Sequence, residues 1–121
     1  MNIVMLSLAA AAAAAQPMTA GEFLNRAEPL MKKSKVTLMF SSEARTLIQI
    51  LGQTAARNRD RIEAERAAGK QVSTCLPPKG KASVDANELL AYLRALPAAD
   101  RAKSLDEAFR GYAAHKYPCR A

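Results

Sequence analysis

The chain has 121 residues, a formal net charge of +7 at pH 7, half hydrophobic composition, 5% aromatic residues and no Trp. That length supports one small domain and excludes two, and a core drawn from Leu, Ile, Met and Ala suits packed helices better than a sheet. One His and two widely separated Cys exclude a zinc site.

Residues 3–15 are apolar apart from Ser7 and end in alanines just before Gln16 and Pro17. This is the shape of a secretory h-region with an Ala-x-Ala cleavage site, so residues 1–15 are expected to be a signal peptide and 16–121 the mature domain. The only positive charge ahead of the run is the Met1 amine; either it serves as the n-region or the start lies upstream. A stable membrane anchor is the rival reading, but the run falls short of the roughly 20 apolar residues that span a bilayer as a helix. No Cys follows it, which excludes lipoprotein processing. Export to the periplasm or beyond places Cys75 and Cys119 in an oxidising compartment, where the lone pair is expected to form a disulfide.

The mature chain opens on Thr19-Ala20-Gly21-Glu22, a capping box that starts a helix carrying Phe23, Leu24, Ala27, Leu30 and Met31 at helical spacing. Pro29 should kink or thin it, and Lys32, Lys33 and Lys35 suit its C-terminal dipole. Residues 36–40 form a short apolar run of β character with no partner strand, read as an extended or partly helical connector pressed into the core. Ser41 or Ser42 then caps the longest helix, which reaches about Ala68 before Gly69 stops it. Leu47, Leu51, Ala55 and Ile62 make its stripe, widened by Ile48 and Ile50, while its second half turns almost wholly polar, so its last turns should project or form a wet edge.

Residues 70–84 are a Pro/Gly/Lys-rich loop holding Cys75. Asp85-Ala86-Asn87-Glu88 starts another helix with Leu89, Leu90, Leu93 and Leu96 on one face, ended by Pro97. Residues 97–103 read as a polar turn. Ser104-Leu105-Asp106-Glu107 caps the last helix, with Leu105, Ala108, Phe109, Tyr112 and Ala113 inward and Pro118 beyond its end. The expected fold is a single all-α domain of four to five helices with one long-range disulfide. Burial should be deepest at Leu47, Leu51, Leu89, Leu93, Phe109 and Tyr112.

Catalysis needs convergent groups, and the chain offers none by spacing. His115 stands alone beside Lys116 in a last helical turn, no Gly-rich phosphate loop occurs, and the carboxylates read as caps or i,i+4 partners. No catalytic residue, metal or cofactor is therefore expected. The positive charge is spread along the chain rather than gathered on one face, which argues against a nucleic-acid partner. The densest basic stretch holds Arg57, Arg59, Arg61 and Arg66, mixed with Asp60, Glu63 and Glu65. With the loop lysines Lys79 and Lys81 it is the candidate binding surface; as a solvated helix face paired Arg59–Glu63 and Arg61–Glu65 it needs no ligand.

Cys75-Leu76-Pro77, the helix over 85–96 with Pro97, Arg101, the helix from Ser104, and Tyr117-Pro118-Cys119 together resemble the Tai-type immunity family of type VI secretion. Its members show a Cys-x-Pro segment, an amphipathic helix ending near a Pro, a further helix and a closing aromatic-Pro-Cys. The likeness covers residues 75–119, and the family's upstream Cys-x-Gly-Tyr element has no counterpart here. It implies a small exported helical protein whose partner is another protein, a secreted effector that it binds and neutralises in the periplasm. The N-terminal half is similar to uncharacterised exported proteins of alphaproteobacteria, which carry a like element to the LMFSSE at 38–43. In architecture the chain is also similar to HdeA-type periplasmic acid-stress chaperones, which are small, helical and cross-linked once over a long range. That likeness implies loosening at low pH, where protonation of the carboxylates leaves a strongly cationic chain.

Overall fold

Five short polar side chains decide where the helices begin. Thr19, Ser34, Ser41, Asp85 and Ser104 each accept a hydrogen bond from the backbone amide three residues on, which satisfies an orphan donor of the first turn. The computed structural model describes residues 17–120, and the expected signal peptide lies outside them. Its elements are α1 (Ala20–Ala27), a 3₁₀ turn (Glu28–Lys32), α2 (Lys35–Met39), α3 (Ser42–Ala67), α4 (Ala86–Ala95), α5 (Ala98–Arg101) and α6 (Leu105–Lys116). The all-α, single-domain expectation holds. The two helices beyond the expected four are the short α2 and α5, and α5 replaces the polar turn expected over 97–103.

Pro29 acts as expected: the α-helix stops at Ala27 and the chain tightens into the 3₁₀ turn with Pro29 near its start. At the other extreme, α3 ends in a Schellman motif. Gly69 takes φ +76°, its amide donates to Arg66 O at 3.0 Å, and the Lys70 amide donates to Glu65 O at 2.9 Å.

The core is one apolar cluster contributed by α1 (Ala20, Phe23, Leu24, Ala27), Leu30, the start of α3 (Ala44, Leu47), α4 (Leu89, Leu90, Leu93) and α6 (Leu105, Ala108, Phe109, Tyr112, Ala113). Five of the six side chains expected deepest are buried; Leu51 is only half-buried. Two larger corrections follow from packing. Residues 36–40 are helical through Met39 and stand out of the core, with Phe40 79%, Met39 70% and Val36 65% exposed. Only Leu38 of this run packs inward. Conversely, the polar second half of α3 is covered in part: Asn58 is buried beside the expected stripe residue Ile62 where the 70–84 loop folds back along it, while Glu63, Ala64, Arg66 and Ala67 in the last turns are exposed as expected. Arg59 Nη2 donates to Pro77 O and Arg66 Nη2 to Thr74 O, both at 2.9 Å, and these bonds hold the loop down.

Two small antiparallel bridges tie the ends of the chain. Thr19 pairs with Ser104, through Ala20 N to Lys103 O and Leu105 N to Met18 O, each 2.9 Å. Thr74 pairs with Pro118, through Cys75 N to Tyr117 O at 2.8 Å and Cys119 N to Ser73 O at 3.0 Å. The second bridge sets Cys75 and Cys119 at a Cα separation of 4.9 Å, and they are disulfide-bonded as expected, 44 residues apart in sequence. Closing a loop of that length removes entropy from the unfolded chain corresponding to about 4 kcal/mol as an upper figure. The Cys75→Ser/Cys119→Ser double variant should therefore lose about 2–4 kcal/mol of unfolding free energy in a urea titration. A midpoint equal to the wild type's would show that the cross-link does not constrain the unfolded chain.

Candidate interaction surfaces

The basic residues singled out from the sequence fall into two groups. Arg57, Arg59, Arg61 and Arg66 are engaged within the fold. Arg57 clamps Asp106 of α6 through two bonds, Nε to Oδ2 at 2.9 Å and Nη2 to Oδ1 at 2.8 Å. Arg61 bonds Glu65 at 3.1 Å and the amide oxygen of Asn58, while Arg59 lies 3.9 Å from Glu63 besides its bond to Pro77. The two i,i+4 pairs expected from spacing are thus present. Lys79 and Lys81 remain exposed in the loop, and neither is in an ion pair among the described residues. Arg59 and Lys79 do meet, on the wall of a depression of about 190 Å³ between the loop and α6; Arg57, Arg61, Arg66 and Lys81 are not part of it.

His115 is exposed in the last turn of α6, with its ring centroid 6.0 Å from that of Tyr92. Among the described residues no three His, Cys, Asp or Glu side chains gather as metal ligands, and no helix is long and apolar enough to cross a membrane.

A different surface dominates the opposite end. Where α1, the 3₁₀ turn, α3 and the start of α4 converge, an apolar groove of about 280 Å³ lies open, lined only by apolar residues that include Phe23, Leu30, Met31, Leu38, Ile48 and Leu90. Val36, Met39 and Phe40, which flank the groove residue Leu38 on α2 and the residue after it, are exposed, and Ile48 on the groove wall is 70% exposed. Scattered apolar surface residues are ordinary, but a contiguous apolar patch with a groove marks a contact surface. Spacing alone did not find this corner, although four large apolar residues, Val36, Leu38, Met39 and Phe40, set between three lysines and a serine cap were a usable signal.

Electrostatics fix the helices around it. Arg26 clamps Glu43 through Nε to Oε2 at 2.9 Å and Nη2 to Oε1 at 2.6 Å, joining α1 to α3. Arg94 of α4 reaches Glu28 at 2.6 Å, and Lys116 reaches Glu88 at 3.2 Å. The hydrogen-bonded Arg26 guanidinium holds the Glu43 carboxyl below its usual value, and the Arg57 guanidinium does the same for Asp106. No protein-family model matches the chain, and comparison with curated proteins and with solved structures finds no match.

Because both carboxyls bind protons less readily folded than unfolded, their contribution to stability is present above the ordinary carboxylate pKa of about 4 and is lost as pH falls through it toward the depressed folded values. Urea midpoints measured from neutral pH downward should fall in that window. Glu43→Gln with Asp106→Asn should lower the neutral midpoint and make the acid decline shallower. An identical decline in the double variant would show that these pairs are not its source.

Proposed function

We propose that the mature chain is an exported helical binding protein that acts by protein–protein interaction, as an immunity-like protein or a related envelope factor. One observation carries this reading. An apolar groove walled in part by exposed Ile48 stays open at the surface, and exposed Val36, Met39 and Phe40 flank its lining residue Leu38 in the chain. Leaving that much apolar surface in water is unfavourable by about 25 cal/mol per Å², and a partner that covers it recovers this free energy. The disulfide and the apolar leader are consistent with a periplasmic or secreted location. The likeness of residues 75–119 to the Tai-type immunity family points the same way, toward neutralisation of a secreted effector. No enzymatic role is assigned: His115 is the sole histidine, and His115→Ala should leave partner binding unchanged.

A second reading is supported by the ion pairs. Arg26–Glu43 and Arg57–Asp106 join α1 to α3 and α3 to α6, and acid protonates both carboxylates. Helices freed in this way would expose the α1 core face, as an HdeA-like acid-stress chaperone requires. Capture from an envelope extract at neutral pH, paired with a client-aggregation assay at about pH 2–3, below the ordinary carboxylate range, separates the two. One stoichiometric protein partner at neutral pH, lost in Phe40→Asp, supports the binding reading. Suppression of aggregation in acid without such a partner supports the chaperone. Neither result would contradict both.

A further inference from the structure

We infer that the open groove takes an acidic amphipathic helix of the partner protein, its apolar stripe in the groove and its carboxylates on a lysine rim. This rests on the protein–protein reading above and goes beyond it by assigning the surface and the partner's chemistry.

The charge at the corner is one-sided. Lys32, Lys33 and Lys35 follow each other on the chain between the groove residues Met31 and Leu38, and Arg45 lies between Ala44 and Leu47. The three lysines are exposed and in no ion pair among the described residues. Every carboxylate nearby is already engaged: Glu28 with Arg94, Glu43 with Arg26, Glu88 with Lys116, and Asp85 as the cap of α4. The rim therefore presents cations without counter-charges. A second copy of this chain would bring the same lysines against them, so self-association through this face is disfavoured.

Shape narrows the occupant further. The groove runs between helices, and the exposed side chains of Val36, Met39 and Phe40 belong to the same short segment as its lining residue Leu38. A small ligand filling about 280 Å³ would leave those side chains in water. A helix laid along α3 would cover both, with anchors at i, i+3 or i+4, and i+7. A flat anionic bilayer would meet the protruding side chains and leave the concave part unfilled.

The test uses the mature disulfide-bonded protein and two synthetic helical peptides of about five turns with the same leucine stripe, one flanked by Glu and the other by Lys. Binding is read by amide chemical-shift changes, beside vesicles of phosphatidylglycerol. The Glu-flanked peptide should bind about tenfold more tightly than its Lys twin at low salt, as a few surface ion pairs allow. The affected amides should be those of Met31, Leu38, Phe40 and Ile48. In Lys32→Glu/Lys33→Glu/Lys35→Glu, whose exposed substitutions leave the circular dichroism spectrum unchanged, the preference should reverse. Equal binding of both peptides, shifts elsewhere, or shifts at the corner with vesicles alone would overturn the assignment. An envelope partner that the triple variant retains at full affinity would also overturn it, while leaving the protein–protein reading standing.

Discussion

α1 is the element on which the domain's packing depends. An isolated eight-residue helix is not stable in water, so its formation and its burial are one event. It turns Ala20, Phe23, Leu24 and Ala27 inward, and α3, α4 and α6 all lie against it. Its first turn is pinned to the start of α6 by the Thr19–Ser104 bridge, and its end is held by Arg26–Glu43 and Glu28–Arg94. A two-turn helix packed against α3, α4, α5 and α6 cannot also fill the space beyond Leu30. Pro29 ends its α-helical course, the chain leaves through a 3₁₀ turn, and the α2 that follows turns only Leu38 back toward the core. The open apolar corner is a direct consequence of that geometry.

The two ends of the molecule are consequently unlike. At one, the disulfide, the Thr74–Pro118 bridge and the arginines of α3 draw the loop and the C-terminal tail onto the long helix. At the other, Phe40, Met39 and Ile48 are exposed among the described residues. A short chain with few aromatics concentrates its cross-link and polar bonds where they close the fold. The remaining apolar surface is left at one place, where a partner can use it.

Local features of this fold were legible in the sequence; of the non-local ones the Cys75–Cys119 disulfide was, because two cysteines allow a single pairing, and the other long-range contacts were not. The boxes at Thr19, Asp85 and Ser104 act over three residues, and each starts a helix where the sequence places it. Arg59–Glu63 and Arg61–Glu65 follow from helix spacing alone. The Arg57–Asp106 clamp spans 49 residues and has no local mark. Asn58 sits in a polar stretch and is buried where a loop folds back along the helix, with the disulfide joining that loop to the tail. Residues 36–40 show the converse: their apolar character suggested burial, but whether they are buried depends on how much core the other helices have already filled. The basic stretch of α3 was likewise visible in the sequence, while the distant partners that engage it, Asp106, Thr74 and Pro77, were not.

Chemical denaturation of a Phe40→Asp/Ile48→Asp variant, beside Leu93→Ala as a core reference, tests most directly whether the corner is surface rather than core. Leu93 is fully buried, and its truncation should cost about 2–5 kcal/mol. The charged corner variant should unfold within about 0.5 kcal/mol of the wild type, as exposed substitutions do. A loss as large as that of Leu93→Ala would show that the corner is covered in the folded monomer, and the account of it as an open interaction surface would be wrong.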